Sequence, residues 1–168
     1  MADDCVLREL REDDRPFVAK SWLESFAGSH DAGPIPMHLY RPVYRAAIAW
    51  LIGRSDSKTI VACSAENDSL ILGWSCGGNT SRHGKVLHYV FVKSWYRRRG
   101  IATSLIAALG LAPAEPFIYT YRTPLWRELR NSRSWGRGKW NPLAARFRTE
   151  DPYVPSVPDL PDQANPGR

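Results

Sequence analysis

One segment of this 168-residue chain combines the residue types that bind anions. An apolar stretch begins at Val86 and ends at Val92, and the basic run Arg97–Gly100 then enters a second apolar stretch. A strand, a loop and a helix in this order present the unpaired N–H groups of the first helical turn to a phosphate, and the helix dipole adds to the attraction. Glycine lets the backbone approach the anion closely, and the arginines add charged donors. The segment therefore predicts a phosphate-binding site.

The spacing within this segment excludes two common phosphate-binding motifs. It lacks the pattern GxxxxGK[ST] of nucleoside triphosphate loops, and it also lacks the pattern GxGxxG of dinucleotide-binding folds. A phosphorylated ligand of another kind is therefore expected.

The remainder of the chain predicts the elements that position this segment. Hydrophobic periodicity and turn residues give the order β-α-α-β-β-β-α-β-α. Strands are predicted at Cys5–Leu10, Lys58–Ala65, Leu70–Cys76, Val86–Val92 and Phe117–Tyr121, and helices at Arg11–Phe26, Pro42–Gly53, Ala102–Leu111 and Leu125–Asn131. Residues 77–84 are predicted to form a polar loop, and no regular element is predicted from Trp135 onward.

Composition narrows the class of protein. Hydrophobic residues make up 43% and charged residues 24%, which excludes wholesale disorder. The sequence contains no apolar run of roughly 18 residues, and its acidic first residues do not resemble a signal peptide, so that a cytoplasmic protein without a membrane span is expected. The three cysteines lack metal-site spacing, and Cys63 and Cys76 are predicted to be packing residues. We expect one domain over residues 1–148 and a flexible, proline-rich tail over residues 149–168.

Charge is distributed unevenly along the chain. The net charge is +6, but residues 82–148 carry 14 Lys and Arg against 2 Asp and Glu. A block with a net charge of +12 predicts an anionic partner, for which a phosphorylated cofactor, a nucleic acid and the acidic ends of the chain are all candidates.

The motif Arg97-x-x-Gly100-x-Ala102 resembles the R/Q-x-x-G-x-G/A signature of the GCN5-related N-acetyltransferases (GNAT). The strand before it, the helix after it and the order of elements over residues 5–131 are also similar to that family. The resemblance implies an α/β fold with a mixed, mostly antiparallel sheet flanked by helices. It also implies a direct transfer of an acetyl group from acetyl-CoA to an amine acceptor, without a covalent intermediate on cysteine.

The same resemblance implies which residues hold the cofactor. The backbone of the strand before the motif would pair with the pantetheine arm, and the loop amides would surround the pyrophosphate. The strand residues are Val90, Phe91 and Val92, and the loop residues are Arg97, Arg98, Arg99, Gly100, Ile101, Ala102 and Thr103.

The catalytic acid and base follow less directly from the sequence. Many members of the family have an Asn after the last core strand and a Tyr on the next helix, and this chain has neither. A tyrosine hydroxyl from Tyr119 or Tyr121 is the expected proton donor, with Tyr121 preferred. The motif strand lacks a carboxylate, and His88 is its candidate general base because an imidazole titrates near neutral pH. Weaker candidates for the base are His83, His30, His38, Glu24 and Asp31.

A second class of function rests on segment 122–148. Trp126, Trp135 and Trp140 lie among arginines there, a composition that binds nucleic acids by stacking on bases and neutralising phosphates. The alternative hypothesis is therefore a protein that binds nucleic acid or modifies nucleobases on the same fold. The size and the Trp- and Arg-rich segment resemble phage-type members of the superfamily. An ordinary role, in which the tryptophans cap the sheet and the arginines are solvated, is the other interpretation.

Overall fold

A six-stranded mixed sheet forms the centre of the fold in the part of the chain that the computed structural model describes, residues 5–27, 37–112, 115–121 and 138–141. Strands that follow one another along the chain are also neighbours in the sheet. They are β1 (Cys5–Glu9), β2 (Lys58–Ser64), β3 (Ile71–Thr80), β4 (Gly84–Val92), β5 (Phe117–Tyr119) and β6 (Gly138–Trp140). The first four pair antiparallel, whereas β4, β5 and β6 run parallel to one another.

Helices cover both faces of the sheet. Within the described residues they are α1 (Arg15–Ala27), α2 (Met37–Gly53) and α3 (Ile101–Ala108). α1 and α2 pack on one face, and α3 packs on the other. Parallel strands cannot be joined by a tight turn, and α3 lies on the crossover from β4 to β5. The predicted class, a mixed and mostly antiparallel sheet flanked by helices, is confirmed. None of the described helices is both long and apolar enough to cross a membrane.

The face covered by α1 and α2 holds a group of aromatic side chains, termed the aromatic cluster. The ring of Trp22 lies 5.1 Å from that of Trp74 and 4.9 Å from that of Tyr89, measured between centroids. Both tryptophans are fully buried, and the Trp74 indole N–H donates to Ser21 Oγ at 2.9 Å. The members of the cluster are Trp22, Phe26, Trp74, Tyr89, Phe91 and Tyr121. Burial of these rings stabilises this face of the sheet.

The face covered by α3 is mainly aliphatic. Leu105 and Ile106 of α3 are fully buried against the sheet, together with Val90 and Val92 of β4. Ser75 of β3 donates a hydrogen bond to the carbonyl of Leu105 at 3.1 Å. These contacts fix α3 against β3 and β4, and so they fix the position of its first turn.

The structure corrects the predicted end of β3. This strand continues to Thr80, through glycines that the sequence analysis assigned to a loop. A Cβ atom added to Gly78 would lie 2.4 Å from the carbonyl oxygen of Asp56, so that only glycine fits there. Glycine inside a strand marks this close backbone approach rather than a turn.

Helix starts also differ from the prediction. α2 begins at Met37 rather than at Pro42. Proline is common in the first turn of a helix, which is why the prediction started there, but Pro42 lies inside this helix. The chain from Glu12 to Asp14 forms a 3-10 turn, and α1 begins after it. β6 was not predicted. The predicted helix Leu125–Asn131 and the tail 149–168 lie outside the described residues.

Candidate functional site

The pairing of β3 with β4 is interrupted by one extra residue on β4. Cys76 of β3 pairs with Tyr89, whereas the next residue of β3, Gly77, pairs with Leu87. His88 therefore has no partner on β3 and forms a β-bulge. A bulge bends its strand and redirects the backbone groups around it.

The other edge of β4 is paired over only part of its length. β5 pairs with Val86 and Leu87, and the amide of Thr120 donates to the carbonyl of Leu87 at 3.2 Å. Among the described residues, no strand lies beside residues 89–92 on this edge, which is termed the open edge. β4 and β5 therefore part at His88, the residue that forms the bulge. An unpaired strand edge presents N–H and C=O groups that an extended ligand binds.

A short turn connects the open edge to α3. A 3-10 turn over Ser94–Tyr96 follows β4. Arg97 Nε donates to the carbonyl of Val92 at 3.1 Å, which ties the turn back to the end of the strand. Arg98 then takes a left-handed backbone conformation with φ 62°, which is uncommon for a residue with a side chain. The chain thereby reverses so that α3 starts next to the end of β4.

Gly100 precedes the first turn of α3 in a left-handed conformation, with φ +79°. Residues with a Cβ atom rarely adopt this conformation, which explains the glycine. A Cβ atom added there would meet no atom within 4 Å, so that the space before the helix is open. The Gly100 carbonyl accepts from Ser104 N at 3.0 Å, and the amides of residues 101–103 precede the first intrahelical hydrogen bond. These amides and the helix dipole favour an anion.

The arginines of the motif add positive charge at the same place. Arg97, Arg98 and Arg99 are exposed, and no ion pair within the described chain engages them. The guanidinium carbon of Arg99 lies 5.6 Å from the centroid of the Tyr96 ring, which supports the side chain on the turn. The arginines can therefore donate to a phosphate without breaking an internal ion pair.

The structure brings the predicted cofactor residues together. Val90, Phe91 and Val92 belong to the open edge, and the short turn after β4 connects it to the loop and first helical turn over residues 97–103. The valine side chains pack toward α3, while the Phe91 ring packs against the aromatic cluster. Only the backbone of this edge is left for a ligand. That these residues bind acetyl-CoA stays a prediction.

His88 lies in the interior, with 1% of its surface exposed. Its Nδ1 is 3.2 Å from Thr120 Oγ1, and the same hydroxyl lies 3.4 Å from the His88 carbonyl oxygen. Its Nε2 is buried and has no hydrogen-bond partner among the described residues. Burial, aided by the charge of Arg54 and opposed by that of Asp56, lowers the pKa of His88 to about 3. The imidazole is therefore neutral at pH 7 and only weakly basic, which argues against its predicted role as the general base.

Tyr121 lies just beyond the end of β5 and packs edge-on against α1. Its ring centroid is 4.9 Å from that of Phe26 and 5.7 Å from that of Trp22. Tyr89 lies 6.0 Å away, and its hydroxyl is 2.9 Å from Ser25 Oγ. Burial raises the pKa of Tyr89 to about 12, so that this phenol stays protonated. Tyr121 is half-buried near the place where β4 and β5 part, and its role as a proton donor stays a prediction.

The weaker base candidates are dispersed. His83 lies in the turn at the start of β4, at the end opposite to the motif. His38 is exposed on α2, and Glu24 lies on the surface of α1 with Lys20 3.9 Å away. His30 and Asp31 lie outside the described residues.

Sequence reasoning missed the contacts of Thr120 and Ser25. Each acts on a residue more than thirty positions away, His88 and Tyr89 respectively, so that no local pattern indicates them. For Thr120, the available signal was its position as a polar residue directly after the buried end of β5.

Comparisons with known proteins agree with this geometry. The family model described as the acetyltransferase (GNAT) family matches residues 11–110. The matched region contains the bulge, the open edge, the motif loop and α3. No curated protein matches the chain.

Solved structures show a similar fold. A protein from Pyrococcus furiosus that is assigned as an acetyl transferase is 19% identical, with a TM-score of 0.54 over 77% of this chain and 93% of its own. An acetyltransferase of the GNAT family from Staphylococcus aureus Mu50 is 15% identical, with a TM-score of 0.46 over 62% of both chains. One assigned to the same family from Desulfovibrio desulfuricans is 16% identical, with a TM-score of 0.43. This chain covers 62% of that protein, less than two thirds of its length.

Proposed function

Because the chain belongs to the acetyltransferase (GNAT) family, we propose that it binds acetyl-CoA and transfers the acetyl group to an amine. Acetyl transfer to an amine is the general activity of this family. The observation that carries the proposal is the start of α3. A left-handed glycine, the amides of the first helical turn and three arginines that form no ion pair with the described residues meet there, directly after the open edge of β4.

The residues present fit the cofactor. The anionic end of acetyl-CoA would lie against residues 97–103, where the amides of the first helical turn and the arginine side chains supply hydrogen-bond donors. The open space before Gly100 leaves room for the phosphates. The extended pantetheine arm would pair with the open edge as an added strand does. When bound, the cofactor supplies an activated acetyl thioester.

The chain's own contribution is mainly to position the reacting groups. The open edge and the motif loop hold the two ends of the cofactor, and the aromatic cluster limits the access of water from the α1 side. The described cysteines are free, and burial raises the pKa of the Cys76 thiol. A protonated, buried thiol is a poor nucleophile, which supports direct transfer without a covalent cysteine intermediate.

Proton transfer is assigned to Tyr121 in this proposal. Its phenol would donate a proton to the departing thiolate, because it lies next to the place where β4 and β5 part. His88 is neutral and buried, and we assign it no proton transfer.

Two glycines of α3 provide a matched test of cofactor binding. Gly100 and Gly110 lie at opposite ends of the helix, both have φ +79°, and a Cβ atom on either would meet no atom within 4 Å. Alanine at either position therefore introduces the same backbone strain, about 1 kcal/mol in the free energy of unfolding. The proposal expects calorimetry to show at least tenfold weaker acetyl-CoA binding for Gly100→Ala and wild-type affinity for Gly110→Ala.

Either of two results would contradict the proposal. One is a wild-type protein that does not bind acetyl-CoA at millimolar concentration. The other is an equal loss of affinity in the two glycine variants, which would trace the loss to helix stability rather than to the motif loop.

The other predictions from the sequence are not carried further. Of segment 122–148, only residues 138–141 are described, with Lys139 and Trp140 exposed, and these few residues do not favour a nucleic-acid partner. A nucleic-acid partner, a cytoplasmic location and a phage origin stay predictions.

A further inference from the structure

His88 lies at two irregularities of the sheet. The bulge leaves this residue unpaired toward β3, and the pairing with β5 ends beside it. The last backbone contact between β4 and β5 is the hydrogen bond from the Thr120 amide to the Leu87 carbonyl. The open edge begins at Tyr89, the residue after His88. The place where the two strands part is therefore defined by His88 on β4 and by Thr120, which directly follows β5.

The side chains of His88 and Thr120 contact each other at the place where β4 and β5 part. Thr120 Oγ1 lies within 3.2 Å of His88 Nδ1 and 3.4 Å of the His88 carbonyl oxygen. A hydroxyl group has one proton, so that both contacts are satisfied when Nδ1–H donates to Thr120 and the Thr120 hydroxyl donates to the carbonyl. Both residues are almost completely buried, with 1% and 4% of their surfaces exposed. Buried hydrogen bonds of this kind hold a backbone in a single arrangement.

The surroundings keep the imidazole neutral. The charged groups that act on it are Arg54 and Asp56, which follow α2 and are bonded to each other at 2.5 and 2.6 Å. With the tautomer described above, Nε2 is an unprotonated acceptor that no described residue contacts by a hydrogen bond. The imidazole therefore contacts the neighbouring chain through Nδ1, which donates to Thr120 Oγ1.

We propose that His88 and Thr120 form a positioning pair that fixes the point at which β4 parts from β5, and that this point sets where the acyl end of a bound thioester lies. The proposal rests on the proposed function in one respect, because it takes the gap beyond Thr120 to hold the acyl-pantetheine arm. The pair acts through the backbone of the bulge, and neither side chain reacts.

The binding of two ligands distinguishes an effect on the gap between β4 and β5 from an effect on the motif loop. Acetyl-CoA reaches both the motif loop and the gap, whereas 3′-phosphoadenosine 5′-diphosphate reaches only the loop. In Thr120→Val, which keeps the shape and removes the hydroxyl, we expect acetyl-CoA to bind about tenfold more weakly while the nucleotide binds within twofold of wild type. Thr120→Ser keeps the hydroxyl and should bind acetyl-CoA within about threefold of wild type.

Matched variants of His88 test the other partner. His88→Leu should weaken acetyl-CoA binding as Thr120→Val does, and His88→Asn, whose amide can replace Nδ1–H, should restore most of it. The double variant, with Leu at 88 and Val at 120, should bind about as weakly as either single variant, because the two residues act as one unit. The pair is refuted if Thr120→Val binds acetyl-CoA like wild type, if both probes weaken equally, or if Asn and Leu at position 88 are equally defective.

Hydrogen exchange of the protein without ligand provides a readout independent of the cofactor. Thr120→Val should exchange the amides of residues 88, 89 and 120 at least tenfold faster than wild type, while the amides of β1 stay unchanged. Failure of wild type to bind either probe would remove the proposed function, and this exchange result would then decide whether the pair fixes the strands. Unchanged exchange at all three amides would refute the pair.

Discussion

The two faces of the sheet provide different surroundings at the same gap between β4 and β5. On the α3 side, the site consists of exposed backbone amides and arginines over residues 97–103. On the α1 side, it consists of packed rings from α1, β3, β4 and the end of β5. The first surface attracts an anion, and the second is apolar and largely closed to solvent.

Because of this difference, we expect substitutions on the α3 side to affect ligand binding and substitutions on the α1 side to affect the free energy of unfolding. Arg98 and Gly100 are exposed and contribute little to the core, so that their replacement should alter ligand binding more than folding. Trp22 and Trp74 are fully buried, and their replacement should alter folding first. The predictions that follow compare how much buried and exposed positions contribute to stability.

The largest effect is expected at Trp74, in the aromatic cluster. Trp74→Ala removes a fully buried ring and its hydrogen bond to Ser21, and it should lower the free energy of unfolding by about 3–5 kcal/mol in denaturant titrations. Trp74→Phe keeps most of the packing and should cost about 1–2 kcal/mol. A loss below about 1 kcal/mol for the alanine variant would show that the cluster does not hold this face together.

A smaller effect is expected where α1 begins. Arg8 and Asp14 form two hydrogen bonds, at 2.5 and 3.0 Å, and their side chains are 15% and 8% exposed. Asp14→Asn leaves Arg8 without its charged partner and should lower the free energy of unfolding by about 2 kcal/mol at pH 7.

The same pair predicts a dependence on pH. The hydrogen bonds from Arg8 lower the pKa of Asp14 in the folded state. The stability from this carboxylate is therefore complete above its unfolded pKa of about 3.9 and is lost as the pH falls through the lower folded pKa. The difference in unfolding free energy between wild type and Asp14→Asn should shrink as the pH is lowered from 5 to 2. A difference that stays constant over this range would contradict the assignment.

The smallest effect is expected on the exposed turn before the motif. Trp95 is 85% exposed, and Trp95→Ala should change the free energy of unfolding by less than about 0.5 kcal/mol. Its control is Trp22→Ala, the same substitution at a fully buried position. A loss above about 1 kcal/mol for Trp95→Ala would show that this turn contributes to the core, and the contrast between the two faces would then fail.

The sequence was informative where structure depends on consecutive residues. The strand, loop and helix around Gly100 were predicted within a few residues, because alternation, a glycine and an apolar helix face are local signals. The errors at Gly78 and Pro42 have the same origin. Gly78 is typical of a turn, but the close approach of the Asp56 backbone explains this glycine inside β3. Pro42 is typical of a helix start, but α2 already begins five residues earlier, at Met37.

The candidate site was predictable to the same extent. The motif loop follows from a local motif, whereas the open edge and the bulge at His88 exist only in the pairing of β4 with β5 and with β3. His88 was a candidate base because its type suits neutral pH, but burial, which its own sequence neighbourhood does not reveal, changes its pKa. The pairing with Thr120 likewise depends on the parallel register of β4 and β5.

The most direct test of the central claim is hydrogen exchange of the wild-type protein with and without saturating acetyl-CoA. The account predicts slower exchange at the amides of residues 89–92 and 97–103 and unchanged exchange in β1, because the cofactor would lie along the open edge and the motif loop. Unchanged exchange in both of these segments, or protection confined to another part of the chain, would contradict it.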